Sequence, residues 1–357
     1  MQKNDIEPNL ASTHAGYPEI PVKDNISDWK ELPIQECGEV LVPLGPFSGY
    51  GHIFTDSIYW AERSSSPFET GELNGSLLTC FVREGIAARL DEAAQFLPER
   101  HAFLVWDTFR SLGTQRALFE DFRDQLVEKK GLSLEEATEE AQRFVSIPST
   151  DPSRPSPHNT GASVDLTIIE FTEEGWQTLQ RLEGALQSSD PDTVYRAEME
   201  RLRLLREESR EIPMGTRFDE VASETRTRYY EELSKLTDED AVIRDNRRML
   251  VDVLQRVGMS NYHEEWWHFD YGNQFHAKRT GEAAIYGAAE FSHENEAHEK
   301  MRVNHYNGSQ YCLGQSRLPA TSKLDITDDT LKLVHQAAHS AGDLSESRHE
   351  PACRLEA

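Results

Sequence analysis

The chain has 357 residues, 37% hydrophobic and 28% charged, with 63 acidic against 37 basic side chains and a net charge of −26. That supplies apolar material for a sizeable core in one large or two small soluble domains, while the negative field opposes binding to nucleic-acid phosphates or anionic lipid surfaces. Cys37, Cys80, Cys312 and Cys353 are scattered without a C-x-x-C pair, which argues against a disulfide framework or a cysteine metal site. No apolar run is long enough to span a bilayer and the first residues lack a signal-like apolar core, so a cytoplasmic protein without membrane contact is expected.

Residues 1–30 are polar, proline-containing and aperiodic, and read as a flexible or loosely docked arm. EVLVPL, from Glu39 to Leu44, reads as a short strand. A helix is predicted over 84–97 from Ile86, Leu90, Ala94 and Leu97, with Pro98 after it. HAFLVWD is a strand-like apolar run ending at Asp107, and a helix follows over about 114–128. Ser133 and Glu136 have capping-box spacing and open another helix. SIPSTDPSRPSPHN is too rich in proline and serine for regular structure.

ASVDLTIIEF alternates Val164, Leu166 and Ile168 with Asp165 and Thr167, which predicts a strand with one polar face. Residues 172–210 read as a charged helical hairpin, and 238–257 as a further helix. Past Asn273 the pattern loses regularity except for a short amphipathic helix near 328–339, and the last fifteen or so residues look disordered. The expected division is an arm (1–30), a catalytic domain (31–290) with the hairpin as an insertion, and a partly disordered C-terminal extension (291–357).

The chemistry-bearing residues fall in four places. His158 sits in a turn seven residues before Asp165, and the pair is either a hydrogen-bonded couple or two ligands of a divalent cation. In HEEWWHFDYG, Glu265 stands three residues before His268, as a base beside a metal-activated water would. In a regular strand those two positions face opposite sides about 10 Å apart, so a shared site requires the backbone to bend at Glu265, with regular strand starting near Trp267. The plain alternative is a core aromatic strand with incidental charges. Arg110, beside Asp107, is placed either to hold a developing oxyanion or to form an ordinary surface pair. Asp219 follows the turn at Gly215 and either meets a cationic group or opens a helix. The histidine pairs His335/His339 and His293/His298 lack a neighbouring metalloprotease glutamate and read as solvated helix faces.

Taken in order, WDTFR, SPHNTGASVDLTI, IPMGTRFD, NRRML and EEWWHF resemble the zinc D-alanyl-D-alanine dipeptidases, the family of the vancomycin-resistance dipeptidase within the D-Ala-D-Ala carboxypeptidase and hedgehog-like fold group. The resemblance covers roughly residues 80–170 and 210–275. It implies an α+β fold, a small mainly antiparallel sheet flanked by helices. It implies one Zn²⁺ per chain on His158, Asp165 and His268, with Glu265 as general base and Arg110 as transition-state arginine. Asp219 would bind the substrate's ammonium group, and Ser156 would lie close to the substrate. Ser111 stands where the family has proline, with two extra residues before Gln115, so a looser Arg110 loop is expected; the family's tyrosine-containing substrate loop matches only a candidate segment, SGYGHIFTDSIYW. The hairpin stands where the family has a short connection.

The implied activity is hydrolysis of D-Ala-D-Ala or a related short D-amino-acid dipeptide, with a place in cell-wall peptide metabolism. The alternatives are a D,D- or L,D-carboxypeptidase of the same fold group and a non-catalytic zinc-binding interaction module. The expected partner is a small peptide, and the hairpin and the C-terminal extension are the candidate surfaces for self-association.

Overall fold

Residues 16–22, 26–60, 73–142, 145, 148–220 and 222–312 are described by a computed structural model, with side chains through 306. The N-terminal third gives three short strands, β1 (Leu41–Pro43), β2 (Ile53–Thr55) and β3 (Phe81–Arg83), and then helix α1 (Glu84–Ala94), which buries Ile86, Leu90, Ala93 and Ala94. The apolar run before Asp107 is β4 (His101–Asp107). Helices α2 (Leu112–Lys130) and α3 (Leu134–Ala141) follow, the second opened by the capping box of Ser133 and Glu136. Strand β5 (Ser163–Phe171) leads into the hairpin α4 (Glu173–Leu186) and α5 (Pro191–Glu207), closed by β6 (Ser209–Glu211). Helix α6 (Asp238–Gln255), strands β7 (Ser260–Asn261) and β8 (His268–Asp270), and helices α7 (Gln274–Thr280) and α8 (His293–Cys312) complete the described chain.

The architecture is α+β. The main sheet runs β2-β4-β5-β8-β7, with β6 also on β5; β2 and β4 are parallel and the other pairings antiparallel. Strand β5 is the central member. One edge pairs along β4, while the other takes β8 at Ser163–Asp165 and β6 at Ile169–Phe171. The polar face expected for β5 is therefore covered: Asp165 and Thr167 are buried along with Val164, Leu166 and Ile168. Their alternation marks two buried faces and not a wet surface.

The chain past Asn273 is more regular than its pattern suggests. Helix α7 is capped by the Asn273 side chain, and α8 packs on β1, where Asn295 Nδ2 donates to the Leu41 carbonyl at 2.9 Å. His293 is exposed as expected, but His298 packs edge-on to Phe81. Within the expected N-terminal arm, Ile20 is buried and its N–H donates to Glu231. The predicted helix at 328–339, the His335/His339 pair and the disordered tail lie outside the described residues. The hairpin leaves β5 after Phe171, six residues from Asp165, so its base lies roughly 20 Å along the strand from that carboxylate.

NRRML acts as a staple. Asn246 Nδ2 donates to the Pro213 carbonyl, and Arg247, 1% exposed, donates to the carbonyls of Met214, Glu224 and Arg226. These bonds hold the loop from 213 to 226 that carries Asp219. Gly215 in that loop has φ +89°, and a Cβ there would come within 2.4 Å of the Tyr230 hydroxyl. Arg247→Leu leaves three carbonyls without their charged donor and is expected to cost about 3 kcal/mol, read as a lower urea midpoint at unchanged slope; a shift below ~0.5 kcal/mol would show that the loop holds itself.

Candidate metal centre

Three strands bring their polar residues into one row. Asp107 at the end of β4 is opposite Asp165 on β5, which is opposite His268 at the start of β8. A bulge between Val105 and Asp107 turns the β4 carboxylate onto this face. His158 comes from the single 3-10 turn Pro157–Thr160 before β5. Gly161 reverses the chain there with φ +66°, and a Cβ would come within 2.4 Å of Leu41 Cδ2.

The ligand-capable atoms of His158, Asp165 and His268 all lie within 4.8 Å of one another, and the three residues are buried. His268 Nδ1 is 2.9 Å from Asp165 Oδ1 and 3.3 Å from His158 Nε2, and His158 Nε2 is 3.5 Å from Asp165 Oδ2. A tetrahedral centre with ligands at about 2.0–2.1 Å has edges of about 3.3 Å, so these donors are spaced as one face of such a centre. Two imidazole nitrogens and one carboxylate oxygen suit a borderline divalent cation and leave a fourth position open.

The far side of each imidazole is fixed. His158 Nδ1 is 2.7 Å from the Thr108 carbonyl, which can only accept, so that nitrogen carries the proton and Nε2 presents its lone pair. His268 Nε2 is 3.0 Å from Asp270 Oδ2, which leaves Nδ1 facing the centre. Asp270, 0% exposed, is held by Ser163 Oγ at 2.6 Å, Asn273 Nδ2 at 2.8 Å and Arg279 at 2.6 Å. Asp270 was not among the residues singled out from the sequence. Its signal was its position, two residues beyond His268 and therefore on the same strand face.

The site's charges are interdependent. Burial opposes the charge on His268, but the Asp270 and Asp165 carboxylates outweigh it and raise the imidazole well above its ordinary range. Burial and the Arg110 guanidinium hold His158 below it. Burial alone would raise Asp165; His158, His268 and Arg110 overcome it and hold its carboxyl low.

The backbone turns where Glu265 requires it. Glu265 N–H donates to the Tyr262 carbonyl at 3.0 Å and His268 N–H to the Glu265 carbonyl at 3.2 Å, two successive turns. Regular strand starts at His268, one residue later than predicted. Glu265 Oε2 thereby reaches 3.9 Å from His268 Nδ1. Desolvation pushes its carboxyl up to about 8, with His268 opposing and Asp165 and Asp219 adding. Trp266 and Trp267 are core: Trp266 Nε1 donates to Thr216, and Trp267 packs edge-on to Phe218.

Arg110 is clamped despite Ser111 replacing proline. Ser111 caps α2 by accepting from Thr114 N–H, the Arg110 N–H donates to the His158 carbonyl at 3.1 Å, and Asn159 Nδ2 donates to the Arg110 carbonyl. Its guanidinium pairs with Asp107 and Gln115 and stands 3.8 Å from Asp165 Oδ2. The pair with Asp107 is thus buried within the site. Tyr59, in the segment that offered only a candidate loop, places its ring 5.3 Å from that guanidinium.

Asp219 adopts φ +58°, unusual for a non-glycine residue; the residue as a whole is exposed, while its carboxyl lies within the field of Arg110, Asp165 and Asp107. Desolvation of its carboxyl, reinforced by Asp165 and Asp107 and opposed by Arg110, pushes its pKa up to about 6. Ser156 is buried, with its hydroxyl on Asn159 Oδ1 at 2.8 Å, so its visible bond braces the turn that carries His158.

Comparison with known proteins agrees with this site. The family model described as D-ala-D-ala dipeptidase, Peptidase_M15, matches residues 172–285. A D-alanyl-D-alanine dipeptidase from Synechocystis sp. is 21% identical over 271 residues, 69% of this chain and 87% of its relative. The chain is thus similar to these dipeptidases over part of its length. The family match contains Asp219, Glu265 and His268 and stops short of Arg110, His158 and Asp165. Sheet pairing and the turn before β5 bring Asp165 and His158 beside His268.

Two outcomes follow. Asp270→Asn removes the carboxylate that orients His268 and should weaken divalent-metal binding ~10–100-fold, measured by competition with a chromophoric chelator; unchanged affinity would show that the imidazole needs no such support. Glu265 titrates near 8 when folded, above its unfolded value, so its contribution to stability is present below the unfolded pKa and is lost as pH rises through 8. Glu265→Gln should therefore gain stability over the metal-free parent as pH rises towards 9, with the gap closing near pH 5; a pH-independent gap would contradict a raised Glu265 pKa in the metal-free protein.

Proposed function

We propose that the protein is a zinc-dependent dipeptidase that hydrolyses D-Ala-D-Ala or a related short D-amino-acid dipeptide. The observation that carries this reading is the convergence of Glu265, Arg110 and Asp219 on the cluster of His158, Asp165 and His268. A divalent ion on that cluster supplies Lewis-acid polarisation of the scissile carbonyl and of the attacking water; the two-nitrogen, one-oxygen donor set favours zinc.

The chain's own residues supply the remainder. Glu265, with its pKa moved close to neutrality, takes a proton from the attacking water and returns it to the departing amine. Arg110, locked between Asp107 and Gln115, presents a fixed positive charge where the carbonyl oxygen becomes an oxyanion. Asp219 receives the substrate's free ammonium. A longer peptide would set a neutral amide against that carboxylate and lose the charge-assisted bond, so dipeptides are preferred over carboxypeptidase substrates. The Synechocystis relative's name supports the same substrate, whose chemistry points to turnover of cell-wall peptides.

With zinc-loaded protein, Glu265→Gln should keep its metal and lose 10²–10⁴-fold in kcat on D-Ala-D-Ala, roughly the contribution of a general base; near-normal turnover would remove Glu265 from the chemistry. Asp219→Asn should lower kcat/KM for D-Ala-D-Ala about 10–100-fold and leave hydrolysis of N-acetyl-D-Ala-D-Ala unaffected. An equal loss on both substrates would contradict recognition of the ammonium and favour a carboxypeptidase.

A further inference from the structure

A cavity of about 400 Å³ lies between α5, α8 and the sheet, and none of its lining residues belongs to the metal centre. Its volume is that of a small-molecule site. Its lining includes the apolar Leu104 and Ile169 from the sheet and Leu202 and Leu205 from α5, together with Arg302 and His305 from α8.

Arg302 is 6% exposed, yet its Nε has no hydrogen-bond partner among the described residues. The two carboxylates that act on its charge are engaged elsewhere. Glu198 accepts from Phe47 N–H at 2.8 Å and from Arg201 at 2.9 Å, and Glu299 accepts from the N–H groups of Leu78 and Thr79 at 2.6 and 3.0 Å. Among the described residues the guanidinium also lies over the Phe47 ring, 5.7 Å away. His305, 8% exposed, likewise leaves Nδ1 without a partner. A buried guanidinium with no bonded anion costs several kcal/mol. Arg302, together with the His305 ring that burial and Arg302 hold neutral by pushing its pKa down to about 4, forms the polar part of this lining.

We propose that this cavity is a second ligand site that takes a small amphipathic carboxylate, its head on Arg302 and His305 and its apolar body against Leu104, Ile169, Leu202 and Leu205. A carboxylate matches the guanidinium fork with a single charge. Among the other lining residues Asp56 and Glu211 are balanced by Arg206 and Arg210, which leaves the Arg302 charge in excess and suits a singly charged head over a multiply charged one such as phosphate.

The test is calorimetric titration of the full chain with hexanoate, hexanol, hexylammonium and inorganic phosphate. Hexanoate alone is expected to bind, and Arg302→Met should weaken it at least tenfold. Leu205→Asp, which sets a carboxylate in the cavity and leaves Arg302 in place, should abolish it; circular dichroism of each variant verifies the fold. Glu265→Gln should bind hexanoate like the parent, which separates this site from the peptidase reading. No hexanoate binding, equal binding by Arg302→Met, or binding of hexanol as tight as hexanoate would overturn the proposal.

Discussion

The row Asp107, Asp165, His268 across three adjacent strands is the constraint on which the rest depends. Cross-strand neighbours on one face sit about 5 Å apart, and two of these are carboxylates that would repel if nothing cationic stood between them. The fold answers with Arg110 on one side and the two imidazoles on the other. Because β5 is paired on both edges, the row cannot slip: a one-residue shift would turn Asp165 to the opposite face of the sheet, away from His268 and Asp107.

Around the row, each element does a positional task. The turn at His158 is closed by Gly161 and braced by Ser156 and Asn159, and the same Asn159 holds the Arg110 carbonyl, so a ligand and the arginine move as one unit. The two turns between Tyr262 and His268 bring Glu265 beside the imidazole instead of to the opposite sheet face. Arg247 ties the loop of Asp219 to α6. The fold thus spends its buried polar groups on geometry, and the carboxyls of Glu265 and Asp219 are shifted upward by partial desolvation and by the acidic groups that this geometry sets beside them.

Long amphipathic helices and apolar strands were legible because their periods are strong; α1, β4, α6 and both helices of the hairpin came from pattern alone. Helix α8 was not, because the side chains it buries include Asn295, Arg302 and His305, which leave no apolar stripe to read. Three-residue strands such as β2 carry too few residues for a period. Spacing alone offered His158, Asp165, His268 and Glu265 as candidates beside plainer readings; the order of five motifs joined them into one set, since sequence spacing does not reveal that β5 and β8 are neighbours. Asp270 and Tyr59 escaped notice: one looks like a strand-end acid, the other like a loop aromatic, and only pairing and packing show what each touches.

The central claim is that the row and the turn beside it form one metal centre with two imidazoles and one carboxylate. X-ray absorption at the zinc edge of the metal-loaded protein tests it most directly. The account predicts a nitrogen and oxygen shell at about 2.0–2.1 Å with outer-shell scattering from two imidazoles. A sulfur shell near ~2.3 Å, or a spectrum without imidazole scattering, would contradict it.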